Sequence, residues 1–138
     1  MTGFIHAKVK NPTRSIKMDN KAANVATTMN YLYDLVGGLL VAATSSSTRD
    51  TMAGVANQTI SAAEALTQCP VIELFGNDVW VVDSTNNSDE THNGQAMILG
   101  ANAYTVNNTG TTSAVGLVVQ VGTYGAAADK KILVRFIR

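Results

Sequence analysis

The chain has 138 residues and a formal net charge of zero, a length typical of one domain with a single core, with or without an attached arm. Hydrophobic residues make up 46% and charged residues only 14%, with Thr, Asn and Ser filling the difference, so the composition argues against intrinsic disorder. Neutrality argues against general nucleic-acid binding, and the single cysteine, Cys69, excludes a disulfide framework. No apolar stretch is long enough to span a membrane as a helix. The first residues lack an apolar signal region, and we expect synthesis in the cytoplasm without export.

The neutral total conceals a segregation of charge along the chain. Residues 1–21 carry a net charge of +4 and residues 130–138 another +4, whereas residues 22–129 carry −8. Segregated charge indicates an oriented partner, which is either an acidic surface or another copy of the chain. A solvated basic tail without a partner is the alternative interpretation.

Residues 1–30 are predicted to form an extended arm. Ile5, Ala7 and Val9 alternate with polar residues, which is the period of a short strand, and Asn11-Pro12 ends it. The apolar residues of 13–30 are too sparse to close a core alone, and we expect them to dock onto a neighbour.

Two β-hairpins are predicted in the part of the chain after the arm. The first joins residues 31–36 to 39–43 through Gly37-Gly38, because adjacent glycines allow a tight two-residue turn. A helix over residues 22–43 is the alternative, and the glycine pair would cost it about 2 kcal/mol. The second hairpin joins residues 71–75 to 79–82 through Gly76-Asn77.

The remaining elements complete an all-β pattern. Ser61 and Glu64 have the spacing of a capping box for one or two helical turns, and residues 83–95 form a long polar loop. Further strands are predicted at 96–99, 115–121 and 132–137. About seven or eight short strands, without a fixed-period repeat, predict a small barrel or sandwich over residues 31–138. Such a body has apolar edge strands that must be covered, which favours a homo-oligomer or docking onto a larger assembly.

No pattern for catalysis, cofactor binding or metal binding emerges. The acidic loop with Asp83, Asp89, Glu90 and His92 matches no calcium or zinc motif and is interpreted as a hydrophilic loop tip. Cys69 stands before a proline at a strand entrance and is interpreted as a small buried hydrophobe. We therefore expect a protein that is not an enzyme and has no cofactor.

Residues 31–138 resemble the head decoration proteins of tailed phages, also called cement proteins. The resemblance is carried by strand and turn patterns: Val79–Asp83 with the loop to His92-Asn93, Met97–Leu99, Val106–Gly110, Gly116–Gly122, Ala127–Val134, and upstream Asp34–Leu40 and Gly54–Ala56. It implies a compact body of the β-tulip or small-barrel type with an extended N-terminal arm. It also implies a homotrimer on the outer surface of an icosahedral virion, bound to the major capsid protein.

That resemblance assigns expected contact residues. The arm would lie across neighbouring capsid subunits through Ile5, Lys8, Val9, Lys10, Arg14 and Lys17, gaining its binding energy mainly from added β pairing at Ile5–Val9. Lys130, Lys131 and Arg135 are expected to contact the capsid or another copy. Neither nucleic acid nor membrane is an expected partner. Another virion component, such as a tail or fibre protein, a glycan-binding module and a small metal-dependent hydrolase stay open as alternatives.

Overall fold

The computed structural model describes residues 3–8, 16–64, 68–74, 79–86, 88, 90–108, 115–120 and 131–136. These residues form eleven short strands and a single 3-10 turn, and none of them lies in an α-helix. The prediction of an all-β fold of the small-barrel type is confirmed, and the structure has two such barrels.

The strands are numbered in chain order. The first six are β1 Ile5–Lys8, β2 Ile16–Lys21, β3 Leu32–Val36, β4 Leu39–Ala42, β5 Met52–Ala56 and β6 Gln68–Ile72. The last five are β7 Val79–Ser84, β8 Ala96–Leu99, β9 Thr105–Asn107, β10 Gly116–Gln120 and β11 Lys131–Phe136, and the 3-10 turn is Glu90–His92.

Ten of these strands close into two five-stranded barrels. The first barrel has the order β2-β4-β3-β5-β6, and β6 returns to pair with β2. The second barrel has the order β7-β9-β8-β10-β11, and β11 returns to pair with β7. The remaining strand, β1, pairs with β7. Where the sequence predicted a single body after residue 30, the chain folds into two barrels, and β2 is part of the wall of the first. Residues 16–21, which the sequence analysis placed in the arm, are therefore a strand of that barrel.

The two barrels repeat one topology. In each, the first strand pairs in parallel with the third, and every other pairing within the barrel is antiparallel. The register repeats as well: Asn20 lies between Leu39 and Gln68, as Asp83 lies between Thr105 and Lys131. The sequence analysis found no repeat because the two halves share pairing positions and not residue types.

A glycine at one equivalent position is common to both barrels. Gly54 pairs with Tyr33, and Gly116 pairs with Met97. A Cβ on Gly54 would overlap the carbonyl oxygen of Ile72, and a Cβ on Gly116 would overlap that of Arg135. Each barrel therefore brings two backbones too close together for a side chain at this point, which a narrow five-stranded barrel requires.

Of the two predicted hairpins, the first is confirmed. β3 and β4 pair antiparallel across Gly37 and Gly38, whose φ angles of 58° and 81° suit the two-residue turn that matches strand twist.

The second predicted hairpin is wrong. β6 pairs with β2 and β5, whereas β7 pairs with β1, β9 and β11, so the two segments belong to different barrels. The turn preference of Gly76-Asn77 does not produce a hairpin, because barrel pairing already occupies both edges of β6 and both edges of β7. The turn residues themselves lie outside the described residues.

The barrels pack against each other through the outer wall of the first. Leu32, Val55 and Ile72 are consecutive cross-strand partners on β3, β5 and β6, all buried in one cluster with Trp80, Val134 and the rest of the second barrel's core. The Leu32 amide donates a hydrogen bond to the Ala103 carbonyl across the junction (2.8 Å). This apolar row joins the outer wall of the first barrel to the core of the second, whereas the interior of the first barrel is a separate cluster that includes Tyr33 and Leu40.

Gly54→Ala should destabilise the chain by about 3 kcal/mol, because it combines a steric overlap with a φ of 144°. Urea denaturation gives the free energy of unfolding. Gly37→Ala is the matched control, since its φ is also positive but no atom lies near the added Cβ, and it should cost about 1 kcal/mol. Equal losses in the two variants would contradict the close approach of β5 and β6.

Candidate interaction surface

The predicted contact residues lie on several elements. Ile5 is half-buried on β1 opposite Val81, and Lys8 pairs with Val79. Lys17 lies on β2, and Lys131 and Arg135 lie on β11. The predicted contacts at Val9, Lys10, Arg14 and Lys130 lie outside the described residues. Of the described members, those on β1 and β11 lie in one sheet on either side of β7, whereas Lys17 lies in the first barrel.

The start of the predicted arm is anchored in the core. Phe4 is 1% exposed, its ring centroid lies 5.6 Å from that of Phe136, and its amide donates to the Asn30 carbonyl (2.6 Å). Gly3 makes this approach possible, because a Cβ there would overlap the same carbonyl oxygen. β7 pairs with one edge of β1, so part of the hydrogen bonding that was predicted to join Ile5–Val9 to a capsid subunit is made within the chain. Alternation does not predict this anchoring, because Phe4 is out of phase with Ile5, Ala7 and Val9.

Phe4→Ala should therefore lower the free energy of unfolding by about 3 kcal/mol, as for other buried phenylalanines. Thermal and urea denaturation measure the loss. A Phe4→Ala chain as stable as the parent would show that this segment is a dispensable arm.

β2 has its charged residues toward the barrel interior and its apolar residues toward solvent. Ile16 and Met18 are 52% and 55% exposed, although their neighbours Lys17 and Asp19 are half-buried and Lys21 is 3% exposed. The alternation is visible in the sequence, but its direction is not, because period two identifies the two faces and not which face is inside.

The inward charges of β2 have local partners. Lys17 Nζ forms an ion pair with Asp19 Oδ2 at 3.1 Å, although that buried oxygen accepts no hydrogen bond. Lys21 Nζ donates to the Val25 carbonyl (3.0 Å) and so caps one end of the barrel through backbone oxygens. Because side chains alternate between the two faces of a strand, these inward charges leave the apolar side chains of β2 on the outer surface.

A second exposed apolar surface lies on the β3–β4 hairpin. Val36, Leu39 and Val41 share the outward face of the hairpin and are 56%, 40% and 46% exposed. We call these three residues the hairpin face. The neighbouring outward position, Asp34, is instead buried and accepts hydrogen bonds from the Ser47 and Thr51 hydroxyls. The loop after β4 covers the hairpin only at Asp34, so the hairpin face stays open to solvent.

Asp83, predicted at the start of the acidic loop, lies instead on β7. Asp83 accepts a hydrogen bond from Lys131 Nζ at 2.9 Å, which ties β7 to β11 at the register position where they pair. Asp89 lies outside the described residues, and Glu90 and His92 lie on the 3-10 turn. Within the described ranges, no three histidine, cysteine, aspartate or glutamate side chains come together as a metal site.

The first barrel buries two weakly acidic groups. Burial raises the pKa of the Cys69 thiol, and it raises the pKa of the Tyr33 phenol, whose oxygen accepts a hydrogen bond from the Thr28 amide (2.8 Å). Cys69 is fully buried and packs in one cluster with Tyr33. A buried thiol with a raised pKa is a poor nucleophile, as expected from the sequence.

Comparison with known proteins gives no match: no protein-family model, no curated protein and no solved structure is similar to the chain. Across the described residues, no helix has the length and apolar character needed to cross a membrane.

Stability should fall as pH rises above about 9. The ordinary pKa values of 9.0 for the thiol and 10.0 for the phenol apply to the unfolded chain, and the folded values are higher, so base deprotonates the unfolded state first. Urea midpoints between about pH 8 and pH 11 should decline, and the Cys69→Ala, Tyr33→Phe variant should decline less. An equal decline in parent and variant would assign the effect to other groups.

Proposed function

We propose that this chain is a non-catalytic structural protein that decorates the head of a tailed phage. In this proposal it binds the outer surface of the icosahedral shell as an oligomer and clamps neighbouring major capsid subunits. The observation that carries the proposal is the hairpin face of Val36, Leu39 and Val41, an apolar surface on a chain with few charged residues. The sequence resemblance to decoration proteins supplies the identity of the shell and the expectation of a trimer.

The hairpin face has the chemistry of a protein-binding surface. Contiguous exposed apolar side chains are uncommon on soluble monomers and mark interaction sites. They lie on a tight hairpin whose Gly37-Gly38 turn has open space where a Cβ would stand on either glycine. Burying these side chains against a partner would release free energy of roughly 25 cal/mol for each Å² of apolar area removed from water.

Charge supports an oriented attachment. The basic residues Lys8, Lys10 and Arg14 cluster near the N-terminus, whereas the body is acidic. A basic segment facing capsid carboxylates would direct the barrels into one orientation, with the contribution of charge mainly to encounter and register. Each bound copy adds interface area at a junction between capsid subunits. Because many such weak contacts act together, the subunits become harder to separate.

A tail or fibre component would use the same apolar hairpin, and the experiment must separate the two locations. Purified chain is mixed with expanded, undecorated heads of its virus, sedimented and imaged by cryo-EM. Saturable density at symmetry or pseudo-symmetry axes is expected. Absence from heads, with the chain found on tails, would overturn the decoration proposal.

Leu39→Ser with Val41→Ser should weaken binding to heads at least tenfold, because it removes the apolar side chains of the hairpin face. Val119→Ser is the control, since Val119 is 41% exposed but lies on the second barrel. Co-sedimentation at several chain concentrations measures the affinity. Unchanged binding by the hairpin variant would remove the hairpin face from the proposed contact.

Charge reversal tests the basic segment separately. Lys8→Glu, Lys10→Glu and Arg14→Glu together should weaken binding at low salt and have little effect at high salt, because exposed charges are screened. This variant keeps Phe4 in place, unlike a deletion of residues 2–17, which would remove core residues and the start of β2. Salt-independent binding by parent and variant alike would exclude an electrostatic role.

A further inference from the structure

The edge of β7 is divided between two strands. β9 pairs in parallel with Asp83 and Ser84, and β1 pairs antiparallel with Val79–Val81 along the same edge. The parallel pair closes the barrel but covers only the end of β7. β1 is thus an added strand that fills the part of the edge that barrel closure leaves open.

The repeated topology places an equivalent edge on β2. β4 pairs in parallel with Asn20 and Lys21, which correspond in register to Asp83 and Ser84. The residues equivalent to Val79–Val81 are then Ile16–Met18. Among the described residues, no strand pairs with this edge of Ile16–Met18.

Backbone direction shows that this edge offers hydrogen-bonding groups. Met18 pairs with Pro70, which has no amide hydrogen and whose carbonyl accepts from the Asn57 amide on its other side (2.9 Å). Met18 and Pro70 are therefore a pair without mutual hydrogen bonds, and the N–H and C=O of Met18 point away from β6. They point toward the open edge, as the equivalent groups of Val81 point toward β1.

The side chains define what kind of strand would fit. Ile16 and Met18 are exposed on the outer face, so an added strand with apolar residues on that face would cover them. On the inward face of β2, Lys17 forms an ion pair with Asp19, whereas Lys21 donates to uncharged backbone carbonyls, so the face keeps one excess positive charge. The Lys17 side chain is still 33% exposed, so an acidic residue opposite it would reach the ammonium group and offset that excess.

We propose that the open edge of β2 at Ile16–Met18 receives an extended segment of the shell protein as an added antiparallel strand. The segment has apolar side chains on its outer face and a carboxylate opposite Lys17. The identity of the partner rests on the proposed function, whereas the edge and its chemistry are properties of this chain.

Proline substitution tests the edge directly. Met18→Pro removes the amide that faces the open edge and leaves the amides that bond β6 in place, so the barrel should still fold. The affinity of the Met18→Pro chain for undecorated heads should fall at least tenfold. The affinity of the Met18→Ala chain, which keeps the amide, should fall much less. Circular dichroism and urea denaturation confirm that both variants fold.

Full binding by a folded Met18→Pro chain would overturn strand addition while leaving the decoration proposal intact. Failure of the parent chain to bind heads would overturn the decoration proposal, and the edge is then judged by a second probe.

That probe is a synthetic peptide, acetyl-Thr-Val-Glu-Val-Thr-amide, titrated into the ¹⁵N-labelled chain. We expect changes in amide chemical shift centred on Met18. A control peptide in which Lys replaces Glu should cause smaller changes. Absence of shifts at Ile16–Met18 with either peptide at millimolar concentration would overturn the acceptor edge. Concentration-dependent protection of the Met18 amide without peptide would also overturn the proposal, because the edge would then be taken by a second copy.

Discussion

Each barrel depends on two consecutive parallel pairs between its first and third strands. Asn20 with Leu39 and Lys21 with Leu40 close the first barrel, and Asp83 with Thr105 and Ser84 with Val106 close the second. Five short strands cannot form a barrel while an edge stays open, so this contact decides whether a sheet or a barrel forms. It is also short, so the first strand of each barrel keeps part of its edge unpaired by the barrel. The added strand β1 and the open edge of β2 both follow from that incomplete coverage.

The same constraint explains the glycines and the apolar junction between the barrels. A five-stranded barrel is narrow, and Gly54 and Gly116 lie where a side chain would meet the backbone of the neighbouring strand. Few side chains fit inside such a barrel, so each interior is small. The row of Leu32, Val55 and Ile72 adds buried apolar area by placing the outer wall of the first barrel against the core of the second.

The sequence predicted local elements better than their assembly. Most strands and the Gly37-Gly38 hairpin follow from alternation and turn chemistry, which act over a few residues. The false hairpin over 71–82 has equally good local signals, and only non-local pairing separates it. The duplication was invisible because inward positions on equivalent strands hold Lys17 and Asp19 in one barrel and Trp80 and Val82 in the other. The exposed face of β2 was predicted as sparse apolar residues that dock onto a neighbour, which is the expectation that the proposed strand addition develops.

The pairing of β1 with β7 has a consequence for synthesis on the ribosome. The first barrel can close once β6 has emerged, because all five of its strands precede residue 73. β1, although made first, has no partner until β7 is available, and Phe4 has no Phe136 to contact until the last strand is made. The outer row of the first barrel is uncovered for the same interval. During the second half of translation, the nascent chain is therefore a closed barrel with β1 unpaired and the apolar outer wall exposed. This is the stage at which it is most accessible to ribosome-associated chaperones and to premature association.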